Sequence, residues 1–196
     1  MFSTLRCGTL AVCLSAMALP AASESLSFKE ARKALPNGKR IVAALTEDAG
    51  FLAEKEQGIV KQLEANIPFY GALALTPSEG LYVDWLNAAG QHHSIEAARA
   101  AALAHCEANR KPSSEPCVVV YEVAPRGAKA DAPLSLSAEA NAALRKDYRK
   151  LRAPKGFAIS KSKGTFGFAA GDGARALDAC AKSGEGASDC EIVVAD

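Results

Sequence analysis

Residues 174–194 read "ARALDACAKSGEGASDCEIVV", and residues 100–120 read "AAALAHCEANRKPSSEPCVVV". Superposed on their cysteines, the two stretches spell one phrase. Ala102 and Leu103 fall on Ala176 and Leu177, Cys106 falls on Cys180, and Val119 and Val120 lie beside Ile192 and Val193. Ten residues separate the first pair of cysteines and nine the second. The match runs upstream as well. Residues 72–85, "ALALTPSEGLYVDW", correspond to residues 156–169, "GFAISKSKGTFGFA", with Gly80 against Gly164. Internal self-similarity of this kind sets the architecture.

Each copy has the same grammar. "FYGALAL" (69–75) is a short apolar run suited to a strand. "TPSEG" is turn chemistry, with Pro77 presetting φ and Gly80 free to take positive φ. "LYVDWLNA" (81–88) reads as a second strand, so the pair is expected to form a hairpin. A helix follows, with Ser94 as N-cap and Glu96 at the positive end of its dipole. "RKPSSEP" breaks the helix through its prolines, and the β-branched run "CVVVYEV" is a strand. The second copy repeats this as "GFAIS", the turn "KSKG", "TFGFAA", a helix over 174–182, a loop and "CEIVV". The expected fold class is therefore α+β: two strand–strand–helix–strand repeats, mostly antiparallel sheet with helices packed on it, stapled by disulfides. Unit one spans 69–124 and unit two 156–196. Because each is small, the two are expected to pack as halves of one domain spanning 24–196, burying what neither buries alone.

The start of the chain reads differently. Arg6, the uncharged run "CGTLAVCLSAMA" and the small residues of "LPAAS" make residues 1–23 a secretory leader, cleaved near Ala22 or Ser23. Val12 before Cys13 is bulky where a lipoprotein signal wants a small residue, so a lipid anchor is not expected. The expected location is the periplasm or the exterior, and no later segment is apolar for long enough to span a membrane. Removing the leader takes away Arg6 and no acid, leaving 22 basic and 22 acidic residues. That near-neutral balance argues against nucleic acid as the partner. Four cysteines remain, Cys106, Cys117, Cys180 and Cys190, and an even number in an exported protein reads as disulfides. Four cysteines allow three connectivities. The repeat selects the local one, Cys106–Cys117 and Cys180–Cys190, each pinning a helix end to the strand that follows it.

The remaining segments frame the units. Residues 24–68 form an N-terminal helical segment: Ser27 and Glu30 make a capping box, "KRIVAAL" (39–45) suits a strand, and Leu52, Ile59, Val60 and Leu63 follow helical spacing. Residues 125–155 hold a linker, "APRGAKADAP" entering it, and a helix capped by Ser137 with the apolar stripe Leu144, Tyr148 and Leu151. The same stretch carries Arg145, Lys146, Arg149, Lys150, Arg152 and Lys155. They form either a solvated face or a contact for anionic head groups or an envelope polymer. Residues 28–66 and 138–151 are expected to cover what the units leave exposed.

Candidate chemistry is sparse. The histidines are His92, His93 and His105, and unit two has none, so no imidazole site is common to both units. No C-x-x-C, zinc spacing, phosphate-binding glycine loop or nucleophile elbow is present, so no metal and no cofactor is expected. Trp85 aligns with Ala169 and is expected in the second strand of unit one, alternating faces with Asp84. If the exposed face of that hairpin binds anything, Tyr82, Asp84, Trp85, His92 and His93 are its candidate residues. Two functions follow. The first is an exported, non-enzymatic binding or interaction module for an envelope protein or small ligand. The second is an envelope hydrolase with its site in unit one alone, using His92 or His93 with Asp84.

The duplicated "ALxxC…C.V.V" pattern, with "YGALALTPSEG" ahead of it and "RKDYRK" between the copies, resembles a family of secreted alphaproteobacterial proteins over nearly the whole mature chain. Each unit is also similar to a short cysteine-bearing domain of unknown function in exported bacterial proteins. Members of the secreted family often carry the label 5-aminolevulinic acid synthase. Enzymes that make aminolevulinate are far longer, cytosolic and dependent on pyridoxal phosphate. This chain has neither room for that fold nor a setting for a Schiff-base lysine. The resemblance implies an exported, disulfide-bonded α+β protein and no activity.

Overall fold

The computed structural model describes residues 25–38, 40–184 and 187–196. The expected leader lies outside them. The chain is α+β with two antiparallel sheets and two disulfides.

Unit one contains β2 (Gly71–Leu75), β3 (Ala88–Ala89), α3 (Ile95–Asn109) and β4 (Val118–Pro125). Unit two contains β5 (Lys155–Ser160), β6 (Phe166–Ala170), α5 (Gly173–Ser183) and β7 (Cys190–Ala195). In each, the first strand is central, with the second on one side and the third on the other. β1 (Ile41–Leu45) extends the first sheet beyond β4, giving the order β1-β4-β2-β3 against β6-β5-β7. The register shifts between Leu73 and Ala74 in one sheet and between Phe157 and Ala158 in the other, at aligned positions. Gly80 and Gly164 both have φ of +70° and donate to the carbonyls of Thr76 and Ser160. The hydroxyls of those two residues then tie each turn to the segment before the second cysteine. Thr76 donates to the Glu115 carbonyl at 2.7 Å, and Ser160 donates to the Asp189 carboxylate. Cys106 bonds Cys117 and Cys180 bonds Cys190, as the local pairing requires.

Alternation along the central strands assigns the faces. Ala72 and Ala74 lie against α3 with Ala98, Ala102 and Cys106. Ala158 lies against α5 with Ala176 and Cys180. Small residues let each helix approach closely, and Gly167 is the extreme case: a Cβ there would sit 2.1 Å from the backbone nitrogen of Cys180. The opposite faces carry the large side chains. Leu73, Leu75, Val120 and Tyr121 pack with Ala49, Leu52, Val60 and Ile67, contributed by a 3₁₀ turn, α2 (Glu54–Gln62) and the loop after it. In unit two, Phe157 stacks on Phe166 and Phe168 at 5.6 and 5.7 Å and meets the edge of Tyr148 at 5.8 Å. Leu35 of the loop after α1 (Phe28–Ala34), with Leu144 and Tyr148 of and after α4 (Ala138–Lys146), completes that core.

Three expectations are corrected. The units do not bury their faces against each other: each sheet has its own core, because helices from outside the units cover both large-residue faces. The segment 24–68 is also not one body. α1 packs on unit two, and Leu26 bridges Val194 of β7 in parallel, while residues 41–66 pack on unit one. Residues 81–88 are not a strand either. Only Ala88–Ala89 pair with β2, because Leu81 turns into the core and His105 Nε2 donates to the Trp85 carbonyl at 2.8 Å, holding 81–87 as an irregular loop.

The capping predictions are met. Ser27 and Glu30 form the capping box of α1, and Ser94 and Ser137 accept from Ala97 and Ala140. Three of the six cations in 145–155 are engaged inside the fold or by a neighbour. Arg145 donates to the carbonyls of Leu35 and Pro36 at the end of α1 and to Asn141. Lys155 lies over the Tyr148 ring at 4.6 Å beside Asp196, and Lys150 pairs with Asp147. Among the described residues, no helix is long and apolar enough to cross a membrane.

Candidate ligand-binding cleft

The two units meet at the loop 90–93. Gln91 has φ of +61°, and its carbonyl sits where a Cβ on Gly164 would be 2.6 Å away, so the turn of unit two touches bare backbone. The Gln91 amide donates to Glu139 at 2.9 Å, tying the loop to α4. His93 is 2% exposed and has partners at both ring nitrogens. Its Nδ1 accepts from the backbone N–H of Ser137 at 3.0 Å. Nε2, 2.9 Å from the Thr165 carbonyl, is therefore the protonated nitrogen and donates to it. One neutral imidazole thus joins unit one, the cap of α4 and the turn of unit two. Burial is the chief cause that lowers its pKa, with the neighbouring His92 adding to it and the Thr165 bond opposing.

Beside His93 a cleft of about 410 Å³ opens between the units. Its floor is Ile159 and Val193 of the second sheet, and Leu26 forms one side. The strap 132–135 forms the other side, with Leu134 buried and Ser135 half-buried. Lys161 and Glu191 line it too and pair at 2.5 Å, the lysine exposed and the glutamate half-buried. A second hollow of about 230 Å³ shares Ser94, Ala132 and Ser135 with the first and adds Tyr70, Glu96 and Glu122. An apolar floor with a few convergent polar groups is the usual make-up of a small-molecule site, and about 400 Å³ falls within its ordinary size range.

The five residues singled out along the sequence do not form one surface. Tyr82 is 72% exposed, Asp84 is exposed, and Trp85 is half-buried with its ring 6.3 Å from that of His105. These lie near the C-terminal end of α3, whereas His92 and His93 precede its N-terminus, about 17 Å away at 1.5 Å per residue. Trp85 is also not the counterpart of Ala169: Ala89 pairs with Ala72 as Ala169 pairs with Gly156. His92 is half-buried, its Nδ1 has no hydrogen-bond partner among the described residues, and burial lowers its pKa. Among the described residues, no hydrogen bond joins Asp84 to either histidine, and no cluster of three His, Cys, Asp or Glu side chains is placed to hold a metal ion. Of the five, only His93 lines the cleft. Leu26, Ser135, Lys161 and Glu191 come from four distant segments and carry no motif that would have marked them.

Comparison of the chain with family models, curated proteins and solved structures gives no match.

Proposed function

We propose that this chain is an exported, non-enzymatic binding module that takes a small amphiphilic ligand in the cleft beside His93. The observation that carries the reading is the cleft itself. Its walls come from both units and the strap, its floor is apolar, and a Lys–Glu pair lies within reach of a charged head group. Two disulfides support an oxidising destination, which agrees with the leader-like residues 1–23. The matched topology, bulges and turn hydroxyls support an origin by internal duplication and agree with the resemblance to secreted alphaproteobacterial proteins. The hydrolase reading gains no support from His93, whose two nitrogens are already spent on backbone groups.

The test uses a naphthalene sulfonate dye, an amphiphile with an apolar body and one charge. The account expects binding to the folded protein at one site per chain. Ser135→Trp, which fills the cleft from the half-buried strap, should abolish that site while leaving the unfolding midpoint within a few degrees. Dye binding that is absent, or equal in the two proteins, contradicts the reading.

A further inference from the structure

The formal charge of the chain is near zero, yet its charges are not evenly spread. Three surface hollows follow one another along the α1 side. The first is lined by Lys29, Arg32 and Lys33 beside Phe28, and the second by Lys33 and Lys129 with Asp131. The third, of about 290 Å³, is lined by Arg40 and Arg126 with Asn37 and Gly38. Lys33 belongs to the first two, and the neighbours Pro36–Asn37 and Arg126–Gly127 link the second to the third. All six cations are exposed, and none is in an ion pair among the described residues. Of the acids nearby, Glu30 turns back to the capping box of α1, which leaves Asp131 as the one carboxylate lining the hollows among the described residues. Arg145 does not take part, because its guanidinium caps the end of α1. Arg145 also donates to the Arg32 carbonyl at 3.4 Å, and its pKa is lowered, by burial first and then by the charge of Arg32.

We propose that this run of hollows is a groove for a linear acidic polysaccharide, a polymer bearing one carboxylate on each sugar. The shape favours a strand over a surface: successive concave sites, each offering one to three cations, suit a chain that presents anions at intervals. The lining disfavours the other polyanions. None of the exposed large apolar side chains Val42, Tyr82 and Leu86 lines the groove, and Phe28 is half-buried with the Lys155 ammonium over its ring, so the lining is poorly suited to enter a lipid layer. The aromatic ring that lines it, Phe28, is half-buried beside Tyr148 and Lys155 and offers no open face to stack a nucleic-acid base. The inference is independent of the cleft, which lies on the other side of the Ala132–Pro133 strap.

The experiment measures binding of the full chain to polygalacturonate by calorimetry, with dextran as the uncharged polymer. The expected result is binding to polygalacturonate alone, weakening about tenfold or more between 50 and 200 mM salt as counterions are exchanged. The double change Lys33→Glu/Lys129→Glu should weaken it at least tenfold, and the milder Lys33→Gln/Lys129→Gln should weaken it less. Arg149→Glu/Arg152→Glu, exposed cations that line none of the three hollows, should leave it within about twofold. Circular dichroism of each variant confirms that it is folded. Absence of binding, equal loss in the two charge-reversal variants, or tighter binding to phosphatidylglycerol vesicles or a single-stranded oligonucleotide would overturn the assignment.

Discussion

Unit one and unit two share an order of elements, a strand topology, a bulge position and a disulfide, yet differ where the helix meets the second strand. In unit two, β6 has five residues and passes directly beneath α5, which its Gly167 makes possible. In unit one, β3 has two residues, and the rest of the connection is a loop that His105 holds from above. Helix α3 has fifteen residues and a serine cap, whereas α5 has eleven and no side-chain cap. The lesson is about division of labour. Both helices rest on their sheets and are tied by a disulfide; α3 adds length, a serine cap and the His105 bond, and α5 adds the close contact over Gly167.

The largest effect is expected at Gly167. Gly167→Val would force a side chain into the backbone of Ala179 and Cys180, and we expect a loss of about 3 kcal/mol, the upper end for overpacking, read by urea denaturation. A loss below 1 kcal/mol would mean that α5 does not lie on bare backbone. The disulfides come next. Their rings are nearly equal, with sequence separations of 11 and 10, so replacing either pair by serine should cost about 3 kcal/mol in the chain-entropy model. The two should differ in where the damage appears. Amide exchange should spread through α5 when Cys180 and Cys190 are replaced, but stay near residues 106–117 when Cys106 and Cys117 are replaced. Similar fraying of the two helices would erase the distinction.

The smallest effect concerns the joint between the units. Because the folded state depresses the His93 pKa, the unfolded chain binds more protons than the folded one below the ordinary imidazole value of about 6.5. The stability is therefore whole above pH 6.5 and falls as pH drops from there through the depressed folded pKa. His92 shifts in the same direction and adds to the fall. His93→Gln should be less stable at pH 8, since it leaves the Ser137 N–H or the Thr165 carbonyl without a partner, and its midpoint should decline less between pH 7 and pH 5. A decline equal to that of the wild type would place the proton elsewhere.

Much of the fold was legible because it depends on local chemistry. The serines at 27, 94 and 137 cap helices for reasons contained within four residues. The cysteine spacing and the β-branched runs fixed the helix–loop–strand phrase. What stayed hidden was set by remote contacts. "LYVDWLNA" has good strand composition, but Leu81 gains more by entering the core than by continuing the ladder, and tertiary burial overrides β propensity. Nothing in "FKEARKA" says that it covers the far unit, since an amphipathic helix specifies a buried face and not the surface it meets. The cleft was illegible for the same reason: its walls converge from segments more than a hundred residues apart. His93 was singled out as surface. Its burial depends on Ser137 and Thr165, 44 and 72 residues away.

The two units have separate cores, and the helix before unit one belongs to unit two. Hydrogen exchange on a chain lacking residues 25–36 tests it most directly. Ala31 and Leu35 are buried against Phe157, Ile159 and Val194, so removing them opens the unit-two core alone. The account predicts that amides of β5 and β7 lose most of their protection, while those of β2 and β4, which lie nearer to the deleted residues in sequence, keep theirs. Equal loss in both sheets, or loss confined to β2 and β4, would contradict it.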